Sequence, residues 1–333
     1  HIPDDWLIVA AGNPPEYNKS VREFDVATLD RVRKIEVLPE LSVWLSYAEK
    51  NQIHSAVTTY LMAHSDHFYS VSQEVDEKRF VTARGWEDLS AVLKSYEILH
   101  FPVDEALIGQ YLQEEKTAEE FSSYYRIYEK YGQDYGVEEI LTGAFSGKIM
   151  AQKQQMAANG SAEERSVLLS LFHAALRKEA SACQKQEHTA KELSECFRQF
   201  TGLCRQKKDE TYASWLQQKE QGFAVCKQQG LLKKGEKETN ARVLKKLKKL
   251  EETAKKCRKT DSDQMKELFE TVCELEQEKV EKEVKDVKLQ IRRAAEFLQN
   301  SFPGGAEVVL FEANLARSPA LRSFLIEKSM DAE

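Results

Sequence analysis

No apolar run in the sequence approaches the roughly 18 to 20 residues that a helix needs to cross a bilayer. No secretory signal peptide is visible either, so no membrane partner is expected and a cytoplasmic protein is. Cysteine pairing is also missing. Cys183, Cys196, Cys204, Cys226, Cys257 and Cys273 are widely spaced, form no Cys-x-x-Cys and fall in helical patterns. That excludes a disulfide frame or zinc ribbon and points to reduced, partly buried thiols. His173 and His188 lie too far apart for one helix face and have no evident metal partner, so no metal site is expected.

A phosphate-binding loop is absent as well. Such a loop needs Gly-x-x-x-x-Gly-Lys-Ser/Thr, because consecutive backbone N–H groups wrap the phosphates and the hydroxyl reaches magnesium. The stretch from Gly143 to Ile149 is one residue short and has Ile149 where the hydroxyl belongs, while Gly230 to Gly235 is followed by Glu236 where lysine is required. Neither follows a strand pattern. The one acidic residue after an apolar run, Glu312 behind Val308-Val309-Leu310-Phe311, lies near the far end of the chain.

What is present begins with Trp6 to Val37. Leu7 to Ala11 is an apolar run that stops at Gly12-Asn13-Pro14-Pro15, the pattern of a buried strand ending in a turn with Asn13 at its tip. A short helical stretch from Asp25 to Leu29 follows, then Asp30-Arg31, then a second short strand pattern from Lys34 to Val37. In order and composition this resembles the MoxR branch of the AAA+ ATPases, where a strand ending in Asn-Pro precedes a helix ending in Leu-Asp-Arg and then another strand. The resemblance implies that Asn13 is sensor 1, which helps place the attacking water beside the γ-phosphate. It implies that Arg31 is the arginine finger, reaching a neighbouring subunit's nucleotide, with Arg33 as the alternative. Arginine fingers of other NTPases contribute about 10³ to 10⁵ in rate. In that family the phosphate-binding loop and Walker B precede sensor 1. A chain that opens on His1-Ile2-Pro3 and runs at once into a core strand is therefore expected to be a fragment whose beginning lies elsewhere. ATP and Mg²⁺ are the cofactors expected of the intact protein, and the chain alone is not expected to bind ATP well.

Pro39 breaks the second strand, and Leu41 to Ala48 opens a helical region. A further helix opens at Ser55, another runs from a Thr82 cap to about Leu99, Asp104 caps the next, and Thr117 to Glu120 forms a capping box. Family likeness makes this the AAA+ lid and implies that Arg84, at the start of its helix, is sensor 2, a cofactor-binding residue that ties nucleotide state to lid angle. The side on which sensor 2 acts varies among AAA+ branches. Phe121, Tyr124, Tyr125, Tyr128 and Tyr131, at three- and four-residue spacing, indicate packing rather than a base-stacking surface.

Beyond residue 145 the pattern is helical throughout. Ser161 to Glu164 is a capping box opening a helix with Val167, Leu168, Leu171, Phe172, Ala175 and Leu176 on one face; a separate helix carries Leu193, Cys196, Phe197, Phe200 and Leu203. Two long helices, about 241–258 and 262–300, are separated by a short break with Asp261 as cap, so an antiparallel hairpin is expected. Between Lys227 and Lys259 stand 13 basic and 4 acidic residues. These flank a leucine seam without aromatics, so a solvated face complementary to the glutamate-rich neighbour explains them more cheaply than nucleic acid. Glu307 to Phe311 is a strand candidate, and Pro319 to Ile326 a short helix.

Charge divides the chain. Residues 1 to 150 carry 14 basic and 26 acidic side chains, a balance of −12, and the remainder 34 and 29, a balance of +5. With the composition shift at Ser146 to Asn159 this places a boundary there. The expected fold class is mainly α: an AAA+ α/β remnant with two strands (1–37), a helical lid (38–145), a linker (146–160), a helical region with a long hairpin (161–300) and a small tail (301–333). The function implied is that of a MoxR-like ATPase, assembled as a homo-oligomeric, hexameric ring, that remodels or activates partner proteins. The alternative is a non-enzymatic helical adaptor with a degenerate AAA+ remnant.

Overall fold

The computed structural model describes residues 6–12, 26–71, 79–206, 211–257 and 261–325. The chain is mainly helical, with one two-stranded sheet among the described residues. No helix of the described residues is long and apolar enough to cross a membrane. Two compact units divide it, His1–Ile127 and Tyr128–Glu333. The division falls inside a helix, not at the composition shift, which displaces the boundary expected at 146–160.

The first unit runs α1 (Val26–Arg31), α2 (Leu41–Lys50), α3 (Ser55–Ala63), a 3₁₀ turn (Ser65–His67), β1 (Ser70–Val71), β2 (Phe80–Val81), α4 (Ala83–Leu99), α5 (Glu105–Gly109) and the start of α6 (Glu115–Tyr135). β1 and β2 pair antiparallel, Ser70 opposite Val81 and Val71 opposite Phe80. The caps lie where side-chain chemistry asks for them. Thr82 Oγ1 accepts from Gly85 N–H at 3.2 Å, and Asp104 Oδ1 accepts from Leu107 N–H at 2.8 Å. Each such cap satisfies one orphan donor of its helix. Thr117 is different: α6 begins at Glu115, so Thr117 lies buried inside the first turn and its hydroxyl donates back to Glu114. The core is aromatic. Trp86 is fully buried and forms a triangle of rings with Tyr60 and Phe121, at 5.9 and 5.2 Å. Tyr125, one helical turn after Phe121, is also buried, as the packing reading of these aromatics expects.

Neither expected strand forms. Residues 6–12 and 33–40 have no ladder partner and are exposed, with Leu7 86% and Val37 88% accessible. A strand is stable only when a neighbour takes its N–H and C=O groups and another layer covers its apolar face. Among the described residues nothing does either.

The second unit comprises the end of α6, α7 (Val137–Thr142), α8 (Gly147–Ala158), α9 (Ala162–Gln206), α10 (Tyr212–Gln228), α11 (Lys234–Lys256), α12 (Ser262–Ser301), α13 (Ala306–Arg317) and α14 (Pro319–Arg322). α9 is one helix of 45 residues, not two. Its apolar positions continue without a break through Ala180, Cys183, Ala190, Leu193, Cys196 and Phe200, all buried. Its N-terminus carries the expected box: Ser161 N–H donates to Glu164 Oε2 at 2.8 Å, and Glu164 N–H to Ser161 Oγ at 3.3 Å. α12 runs antiparallel beside it, since Phe172 meets Phe297, Phe197 meets Phe269 and Ser262 Oγ donates to Cys204 Sγ. At 1.5 Å per residue the two helices are about 68 and 60 Å long. The α11–α12 hairpin is formed, with Asp261 Oδ2 accepting from Asp263 N–H at 3.3 Å.

Two further expectations are overturned here. Residues 147–158, expected to belong to a linker, form α8, because Gln, Lys, Met and Ala are good helix formers and Ala157 is buried. Residues 307–311, expected as a strand, lie in α13. Phe311 and Leu315, four apart, are both buried, and Phe311 meets the edge of Phe172 at 6.5 Å. One buried helical stripe outweighs the strand preference of Val308-Val309.

Candidate functional site

Of the three residues that the family likeness singles out, Asn13 lies outside the described residues. Arg31 is the last residue of α1 and is exposed. Arg33, two residues on, leans its guanidinium on the Val32 carbonyl at 3.4 Å and is also exposed. Arg84 is the second residue of α4, held in the turn that Thr82 caps and pointed to solvent. The next residue, Gly85, sits where an added Cβ would come within 2.5 Å of the Tyr111 carbonyl oxygen, so the start of α4 is pressed against the segment after α5. Neither Arg31 nor Arg84 has a hydrogen bond or ion pair among the described residues. Both side chains are exposed, and no contact among the described residues joins them in one site.

The near-miss loops are structural. Gly143 ends α7 with φ +75°, and the Arg293 guanidinium lies over it, donating to the carbonyls of Leu141 and Thr142. Gly230, at φ +70°, closes α10. Glu312 sits on the exposed side of α13, not at a strand end.

The lysine-rich helix α11 is answered by acids. Lys246 pairs with Glu276 of α12, and Lys248 with Glu220 of α10 at 2.6 Å. Tyr212 of α10 donates to the Leu247 carbonyl at 3.0 Å. The seam between these lysines closes a core of Phe200, Tyr212, Trp215, Leu247 and Phe269. Two lysines of the basic run, Lys246 and Lys248, thus meet a complementary acidic side chain on a neighbouring helix.

A buried histidine paired with a half-exposed carboxylate stands in the first unit. His54 Nδ1 accepts from Ala56 N–H at 3.1 Å, which leaves Nε2–H to donate to Glu97 at 2.8 Å. Burial alone would raise the Glu97 pKa, but the bonds from His54 and Tyr125 hold it below the ordinary carboxylate value. Both ring nitrogens are committed, so this group caps α3 and cannot serve as a free base.

Sequence reasoning passed over a second histidine cluster. His64 ends α3, and the 3₁₀ turn after it carries His67, three residues on. Positions i and i+3 eclipse in that geometry, and the two rings stack 5.5 Å apart. Glu120 reaches in from α6, its Oε2 3.8 Å from His67 Nε2, and Asp66 Oδ2 lies 3.6 Å from the same nitrogen. The side-chain donor atoms of His64, His67 and Glu120 all fall within 4.8 Å of one another. On its core side His67 is held twice: its Nδ1 is 2.7 Å from the Tyr60 hydroxyl, and its carbonyl accepts from Trp86 Nε1–H at 3.2 Å. The pair His64-x-x-His67 was visible in sequence, but Glu120 joins it only through the packing of α6 on α3.

No family model, curated protein or solved structure matches the chain.

Proposed function

We propose that this chain is part of a MoxR-like AAA+ ATPase, in which it supplies the sensing and triggering residues and couples hydrolysis in a homo-oligomeric ring to remodelling of a partner protein. The observation that carries the reading is Arg84. A Thr82-capped first turn presents its guanidinium, free of any ion pair among the described residues, to solvent. That is the condition for an arginine that senses phosphate. Two further features support it. Arg31 has no side-chain partner among the described residues at the end of α1, and the segments 6–9 and 35–38 are exposed and without regular structure, so their apolar side chains lie uncovered. In this reading Asn13 orients the attacking water, Arg31 offsets charge on a neighbour's phosphates and Arg84 links the nucleotide to the helical lid. ATP and Mg²⁺ are held by residues outside this chain.

The test starts with the reading frame ahead of His1. It should encode Gly-x-x-x-x-Gly-Lys-Ser/Thr on a strand-to-helix turn and an apolar strand ending in Asp-Glu. In the protein so defined, Arg31→Ala should reduce ATP hydrolysis by about 10³-fold or more while nucleotide affinity stays near normal. A frame that opens just ahead of His1 with neither motif, or an Arg31→Ala protein that loses binding but keeps its turnover, overturns the proposal. The helical adaptor then takes its place.

A further inference from the structure

We propose that His64, His67 and Glu120 form a binding site for one divalent cation of the zinc class, with Asp66 available as fourth ligand, clipping the end of α3 to α6. Two imidazoles and one or two carboxylates are the donor set that borderline cations such as Zn²⁺ and Co²⁺ favour.

The arrangement has the parts of a built site. His67 is its fixed point, with only 11% of the side chain accessible. The Tyr60 hydroxyl, 2.7 Å from Nδ1, can take the Nδ1–H, which leaves the Nε2 lone pair facing Glu120 and Asp66. A hydrogen bond on the far ring nitrogen is the usual outer support of a metal-bound histidine. The other donors can move. His64 is exposed and Glu120 is 39% accessible. Four ligand atoms about 2.1 Å from a tetrahedral metal stand roughly 3.4 Å apart. Donors now within 4.8 Å must therefore close by at most about 1.4 Å, which two mobile side chains can supply. Glu120 also contacts Lys116 at 3.8 Å, but that lysine is 77% accessible and such a pair is cheaply given up. A cation would in turn neutralise the two carboxylates that share His67 Nε2.

The experiment is calorimetric titration of the untagged full chain with ZnCl₂, paired with the visible spectrum of the Co²⁺-loaded protein. One equivalent should bind, with tetrahedral Co²⁺ bands and no sulfur-to-cobalt charge transfer. His64→Ala and Glu120→Gln, both at accessible positions, should each weaken binding by about 10-fold or more, with circular dichroism confirming an intact fold. Tyr60→Phe should weaken it by about 10-fold, through His67 rather than through lost ligation. Absence of binding overturns the proposal. So does binding that survives His64→Ala and Glu120→Gln unchanged, or a thiolate spectrum, which would put the ion on cysteines such as the exposed Cys257.

Discussion

His173 should make the second unit lose stability in mild acid, by an amount the structure sets. The residue lies on α9 with 5% of its surface accessible, and its Nε2 has no hydrogen-bond partner among the described residues. Burial, helped by the nearby Arg177 charge, lowers its pKa from 6.5 to about 4. The folded chain therefore holds His173 neutral, while the unfolded chain protonates it below pH 6.5. Stability from this group is fully present above that pH, falls as the pH drops through it, and is lost entirely below about pH 4. At 1.36 kcal/mol per pKa unit the whole effect is about 3 kcal/mol, of which about 2 has gone by pH 5. His173→Leu removes the proton site and abandons no hydrogen bond at Nε2. Urea unfolding of both proteins, followed by far-UV circular dichroism at pH 8 and pH 5, isolates the residue, because the other histidines and the carboxylates cancel in the difference. The variant should match or slightly exceed the parent at pH 8 and exceed it by about 2 kcal/mol more at pH 5. A difference between the two proteins that does not change with pH refutes the reasoning.

Two other substitutions probe the two units. Gly85→Ala should destabilise the first unit by about 1–3 kcal/mol, since its Cβ meets a backbone oxygen that cannot rotate away, whereas Gly109→Ala, with open space around it, should be neutral or mildly stabilising. Thermal melting of the pair is enough, and equal melting temperatures would contradict the close approach. Phe269→Ala empties the centre of a ring cluster in which Phe197, Tyr212 and Trp215 stand 5.3, 6.0 and 6.1 Å away, and should cost about 3–5 kcal/mol. Urea unfolding followed by tryptophan fluorescence reads it, and a loss under about 1 kcal/mol would count against this core.

Much of the helical architecture was legible because it is written locally. Thr82, Asp104, Ser161 and Asp261 are each followed by the helix they cap, and the leucine seam of residues 243–250 packs with Met265 and Phe269 of the second helix in the expected hairpin. The failures share one cause, which is that a short apolar run does not state its partner. Val308-Val309 looks like a strand until Phe172 is seen to select the helical stripe Phe311 and Leu315. Leu7 to Ala11 and Lys34 to Val37 look like core strands, yet have no neighbour among the described residues. Glu120 is 53 residues from His67 in sequence, and only the packed α6 brings its carboxylate 3.8 Å from the ring. The roles proposed for Arg31 and Arg84 rest on motif order alone, and the structure adds only that both are exposed and without a side-chain partner among the described residues.

The α9–α12 pair carries a separate core at each end. Phe172, Phe297 and Phe311 knot one end, and Phe200, Tyr212, Trp215 and Phe269 knot the other. In the middle of the pair the buried apolar side chains are small, Ala180, Cys183 and Ala190 on α9 with Val287 on α12, flanked by Leu176 and Leu193 on α9 and Ile291 on α12. Such a pair can melt from its tip inward. α10 and α11 are anchored to the far knot, so losing it would free them while α7, α8 and α13 stayed docked at the near one. Hydrogen exchange should then resolve two steps along one continuous pair of helices, the far end opening at lower cost.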